Sequence, residues 1–88
     1  MDERFWFGRA ASLQEDALFS DALSAWAMAS LLNTEDPYPH FHAAECYLSL
    51  QNRKDALKAL HEAELRSEQI PLLREKISVL KEQWKKIA

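Results

Sequence analysis

The chain has one cysteine, one glycine and three prolines among its 88 residues. A lone cysteine, Cys46, cannot close an internal disulfide, which points to a reducing, cytoplasmic setting rather than secretion. A lone glycine, Gly8, excludes a glycine-rich loop of the kind that cradles phosphate. With 48% apolar residues, so little Gly and Pro favours helix and disfavours a turn-rich β fold. Long hydrophobic runs are absent too: nothing approaches the roughly 18 apolar residues of a membrane span, and no signal peptide is visible. Basic side chains are scarce early on. Residues 1–50 hold two against eight acidic ones, whereas residues 51–88 hold nine against six. The net charge of −3 argues against nucleic acid as the main partner. The basic second half reads as a solvated helix face, with an acidic partner surface as the alternative. No nucleophile has a base at a convincing spacing, so the sequence reads as neither an enzyme nor a cofactor protein.

What the chain does have is a repeat. At an offset of 34 residues Phe7 falls on Phe41, Ala10 on Ala44, Leu13 on Tyr47, Ala22 on Ala56, Trp26 on Leu60, Ala29 on Ala63 and Pro37 on Pro71. Paired helices at a 34-residue period are the tetratricopeptide spacing. The small residues suit close helix approach, and the large ones fill the space between helices. The spacing predicts an all-α single domain: a repeat over 3–36, a second over 37–69 and a capping helix over 70–88. Within it, helices are expected over 3–17, 21–32, 37–50, 53–66 and 70–87. Ser20 reads as the N-cap of the second helix and Pro39 as a first-turn residue of the third. Leu73, Ile77, Leu80, Trp84 and Ile87 form the buried stripe of the last helix, which otherwise matches the repeat poorly and has a polar outer face.

The third helix has two apolar faces where a surface helix needs one. His40, Ala43, Ala44 and Tyr47 make a packing face. Tyr38, Phe41, Glu45 and Leu48 make a second, in register with Arg4, Phe7, Ala11 and Gln14 of the first helix. The second face is read as a peptide-binding groove comprising Phe7, Ala11, Gln14, Tyr38, Phe41, Glu45 and Leu48, with Gln14 and Glu45 binding backbone amides. The alternative is that Phe7 and Phe41 are ordinary core residues between stacked helices. His42, Glu45 and Cys46 lie at i, i+3, i+4, which raises a zinc site. A closed site needs four ligands, and His40 projects elsewhere, so no metal is expected.

The runs Phe5-Trp6-Phe7-Gly8-Arg9-Ala10-Ala11 and Pro39-His40-Phe41-His42-Ala43-Ala44-Glu45-Cys46-Tyr47-Leu48-Ser49-Leu50, with Gln14, Phe19, Ala22 and Leu23, resemble the SycD/LcrH-type class II chaperones of bacterial type III secretion. The resemblance covers about residues 5–66 and matches the second and third of that family's three repeats. It implies a cytoplasmic, non-enzymatic chaperone that holds an extended segment of a hydrophobic translocator protein in a concave groove. Arg9 departs from the family pattern, in which that position is apolar. The face carrying Phe5, Trp6 and Arg9 is expected to support a homodimer through the N-terminal helix. The competing reading is a generic tetratricopeptide adaptor. Adaptors that clamp an acidic C-terminus use cationic groove residues, and here the matching positions hold Phe7, Ala11, Phe41 and Glu45, which should repel such a tail.

Overall fold

Residues 2–86 are described by a computed structural model. They form α1 (Glu3–Glu15), α2 (Phe19–Leu32), α3 (Pro37–Ser49), α4 (Arg53–Leu65) and α5 (Pro71–Lys85), with no strand among the described residues. The period is visible in where helices begin. α1, α3 and α5 start at Glu3, Pro37 and Pro71, and α2 and α4 at Phe19 and Arg53. α5, whose side chains follow the repeat poorly, therefore begins in register with it. None of these helices is long and apolar enough to cross a membrane.

Local chemistry accounts for these boundaries. Asp2 and Asp36, one period apart, cap α1 and α3 by accepting the amides of Phe5 (3.1 Å) and Tyr38 (2.9 Å). Pro37 then occupies the first turn of α3, where an amide has no helical partner anyway. α1 and α3 both end on a left-handed residue, Ala17 and Gln51, each with φ of 61°. Two hydrogen bonds close each end in a Schellman motif: Ala17 N to Gln14 O and Leu18 N to Leu13 O, then Gln51 N to Leu48 O and Asn52 N to Tyr47 O. The left-handed stop at Ala17 is why α1 finishes at Glu15 rather than at residue 17. It also delivers the chain straight into α2, so Ser20 lies inside that helix. Leu18 holds the N-cap position with no side-chain bond, a correction to the expected Ser20 cap. The last helix starts at Pro71 rather than residue 70, and the expected stripe residue Ile87 lies outside the described residues.

A β-carbon in the left-handed region costs about 1–2 kcal/mol that glycine avoids. Ala17→Gly and Gln51→Gly should therefore each stabilise the fold by about 1 kcal/mol, less the entropy glycine adds to the unfolded chain. Urea unfolding of each variant checks this. A loss of stability at both sites would mean these closures contribute less than the backbone freedom they lose.

Each helix packs against its neighbours in sequence, and α1–α2 and α3–α4 form two antiparallel hairpins. The alanine pairs read from the repeat, Ala10 and Ala44, Ala22 and Ala56, Ala29 and Ala63, are all fully buried, as are the large partners Trp26 and Leu60. The core falls into two clusters. One gathers α1 and α2 with Cys46; the other gathers α3 and α4 with Leu73, Ile77 and Trp84 of α5. Two polar ties hold the second hairpin in place. Arg66 donates to the Thr34 carbonyl at 2.6 Å, and Lys81 of α5 pairs with Glu64 of α4 at 2.9 Å.

Candidate functional site

α1, α3 and α5 share one side of the molecule. Phe7 and Gln14 of α1 reach His42 and Glu45 of α3, while Lys76 of α5 lies over the Phe41 ring, 5.3 Å from its centroid. On the other side α2 and α4 border a cleft of about 300 Å³ floored by Pro39, His40, Ala43 and Tyr47. His40 is half-buried there. Burial, then the charge of Arg66, pushes its pKa down.

The shared side is centred on a polar chain crossing three helices. The Trp26 indole donates to Gln14 Oε1 at 3.0 Å, and Gln14 Nε2 donates to Glu45 Oε1 at 3.1 Å. His42 Nδ1 lies 2.7 Å from the same oxygen. An indole only donates and a carboxylate only accepts, so both the orientation of the Gln14 amide and the proton on His42 Nδ1 follow. Four rings surround His42: it stacks on Trp26 (4.8 Å between centroids) and meets Phe41 (5.3 Å), Phe7 (6.1 Å) and Tyr38 (6.5 Å). Burial alone would raise the Glu45 carboxyl. The hydrogen bonds from His42 and Gln14, with the charges of His42 and Lys76, outweigh it and hold Glu45 below the usual carboxylate range. The face thus carries a fixed anion among aromatic rings.

The seven residues predicted for this face take different places. Gln14, Glu45, Phe7 and Tyr38 come together around His42. Ala11 is exposed beside them on α1. Phe41 is only 4% exposed, because α5 covers it, and Leu48 packs partly buried on the same α3–α5 cluster. His42, half-buried, sits at the centre of this face, and the fully buried Trp26 supports it from beneath. α5 adds two exposed apolar side chains, Leu72 (82% exposed) and Val79 (53% exposed), on the surface that also carries Lys76. Carrying the period forward from Tyr38 and Glu45 lands on these two positions, a signal that the polar outer side assigned to the last helix obscured. Of the trio raised as zinc ligands, His42 and Glu45 meet, but Cys46 is fully buried in the α1–α2 cluster. Burial, aided by the Glu45 charge, pushes its thiol up to about 11. Among the described residues no three His, Cys, Asp or Glu side chains are placed to hold a metal ion.

The Glu45 and Glu64 carboxyls both titrate below their ordinary value in the folded chain, Glu64 chiefly through its hydrogen bond from Lys81. Between the folded and unfolded values, the latter about 4.3, the unfolded chain binds more protons, so stability falls as pH drops. Melts from pH 6 to pH 3 should show a declining Tm, and Glu45→Gln should flatten part of the decline. An unchanged slope in that variant would remove Glu45 from the account.

No protein-family model matches the chain, and no curated protein matches it. Solved structures do. A T3SS complex from Aeromonas hydrophila superposes with a TM-score of 0.90 at 26% identity, covering 96% of this chain and 58% of that one. PcrH in complex with the chaperone binding region of PopD gives 0.91 at 25% identity, covering 96% and 65%. The type III secretion translocator chaperone SycD of Yersinia enterocolitica gives 0.91 at 26% identity, covering 96% and 60%. The structural neighbours of this chain are type III secretion translocator chaperones. The chain spans 58%, 65% and 60% of the lengths of these three. SycD has also been crystallised with a peptide of the translocator YopD, and PcrH with the chaperone binding region of PopB.

Proposed function

We propose that this chain is a cytoplasmic bacterial chaperone that holds an extended segment of a hydrophobic type III secretion translocator in a concave groove along α1, α3 and α5. The observation that carries the reading is the composition of that face. Tyr38, Leu72 and Val79 offer apolar contact around an ionised Glu45, in a fold whose neighbours are translocator chaperones seen with translocator segments. An extended segment can place alternate apolar side chains on such a face while its main-chain N–H groups meet an acceptor. In this reading residues 3–36 and 37–69 are two repeats of one domain, and the helix that begins at Pro71 is its cap. The role needs no catalysis and no cofactor.

The test is a titration with a synthetic peptide of the chaperone binding region of PopD and, separately, with an acidic C-terminal peptide of the kind that clamp-type adaptors bind. Saturable binding of the first and none of the second is expected. Binding of the acidic peptide alone would put the adaptor reading ahead.

A second partner is another copy of the chain. Trp6, Arg9 and Leu13 of α1 border an open cavity of about 430 Å³ with Asp21, Ala25 and Met28 of α2, and Phe5 is exposed nearby. A two-fold pairing would set Arg9 of one copy against Asp21 of the other, so the face is self-complementary in charge. Sedimentation over a wide concentration range should show a dimer that Trp6→Asp abolishes. A monomer at every concentration would refute the pairing.

A further inference from the structure

Gln14 and Glu45 look equivalent in the sequence, as two polar residues on an apolar face, but the structure gives them different work. Both ends of the Gln14 amide are engaged inside the protein, the oxygen by the Trp26 indole and the nitrogen by Glu45. One N–H and one acceptor site of Gln14 are thus committed to holding its neighbours, and these two bonds fix the orientation of the amide. On Glu45, the bonds from Gln14 and His42 both end on Oε1. No buried side-chain polar atom lacks a partner among the described residues, and the Glu45 side chain is 37% exposed. Its second oxygen, Oε2, is then the outward acceptor.

We infer that Gln14 is a positioning residue: with His42 it clamps Glu45 Oε1, so that Oε2 stands as a fixed acceptor for one main-chain N–H of an extended client segment. The inference rests on the client reading above and adds the atom that reads the client. The network spans α2, α1 and α3, and its far end, Trp26, is fully buried between α1 and α2. The acceptor is thereby held by the rigid part of the fold. A carboxylate restrained in this way loses little rotamer freedom when it is engaged, which favours binding. The ligand class is a main-chain amide, not a cationic side chain, because Lys76 of α5 already brings a positive charge to Glu45 and would repel a second one.

The test uses the PopD peptide together with copies of it N-methylated at one residue at a time, against three variants. Glu45→Gln keeps an Oε1 for both clamping donors but presents an NH₂ where Oε2 was. Gln14→Glu keeps an acceptor for Trp26 and loses the donor to Glu45. The third combines the two. Thermal melts of each establish folding, and Glu45→Gln alone decides the issue if Gln14→Glu melts early. Each single variant should weaken the peptide about tenfold, the size of one lost charge-assisted hydrogen bond, and the double variant should be no weaker than Glu45→Gln. One N-methyl position should cost a similar factor with the unaltered protein and nothing with Glu45→Gln. Losses that multiply in the double variant, or no N-methyl position that depends on Glu45, would overturn the inference while leaving the client reading intact. If the unaltered protein binds no copy of the peptide, the client reading fails, and this inference with it.

Discussion

Ala44→Glu should abolish folding, while Ser78→Glu, at the same repeat position one period later, should leave the melt almost unchanged. Ala44 is fully buried where α3 meets α4, and it sits in the cluster with Ala56 and Leu60. A carboxylate there is an unpaired charge in an apolar site, costing several kcal/mol even after relaxation. The extra atoms overpack the contact by a further ~1–3 kcal/mol. A domain of this length has a net stability of only about 4–13 kcal/mol, so the two effects together remove most or all of it. Ser78 is exposed on α5, and surface changes usually stay within about ±0.5 kcal/mol. Circular dichroism melts of the two variants side by side make the comparison. A cooperative transition for Ala44→Glu near that of the unaltered chain would show that the α3–α4 contact can open without loss of the fold.

Leu72→Asp combined with Val79→Asp should leave the melt in place and remove most client affinity. The two side chains are on the outer surface of α5, away from the stripe of Leu73, Ile77 and Trp84 that anchors it. Replacing them therefore takes nothing from the core. A client side chain that buried itself against Leu72 or Val79 would lose about 1.5–3 kcal/mol of transfer free energy at each site. That is at least about tenfold in affinity per site. Two added carboxylates on α5 would also raise the negative charge of its exposed surface. Titration of the PopD peptide into the double variant and the unaltered chain measures the difference. Equal affinities would confine the client to α1 and α3 and exclude α5 from the groove.

The helix pairs and their period were legible because they depend on residue size at fixed intervals. Ala10, Ala22, Ala29 and their partners are small since two backbones must approach there, and any larger side chain would prevent it. Such a requirement leaves a mark at every repeat. The N-cap at Asp36 and the left-handed stops at Ala17 and Gln51 were less legible. A stop at glycine announces itself, but here an alanine and a glutamine adopt φ of 61° because the Schellman hydrogen bonds and the packing of the next helix hold them there.

The face was legible only in part. Helical spacing alone put Phe7, Gln14, Tyr38 and Glu45 on one side of their helices, which is a local property of the chain. Spacing alone could not say that Phe41 would be covered and Tyr38 left exposed. That difference comes from where α5 lies, and α5 is placed by Leu73, Ile77 and Trp84 packing on α3 and α4. Nor could it say that Gln14, 12 residues before Trp26 and 31 before Glu45, would bond to both. By itself the sequence determined the all-α class, the 34-residue period, the buried alanines and the charge split, since each follows from local side-chain size and sequence spacing. The tertiary structure alone decided that the bonds from Gln14 and His42 meet on one oxygen of Glu45, that His42 is ringed by four aromatic side chains, and that Leu72 and Val79 are left exposed on α5. Those outcomes depend on how separate helices meet, and a hydrogen bond or ring contact between helices leaves no periodic mark along the chain.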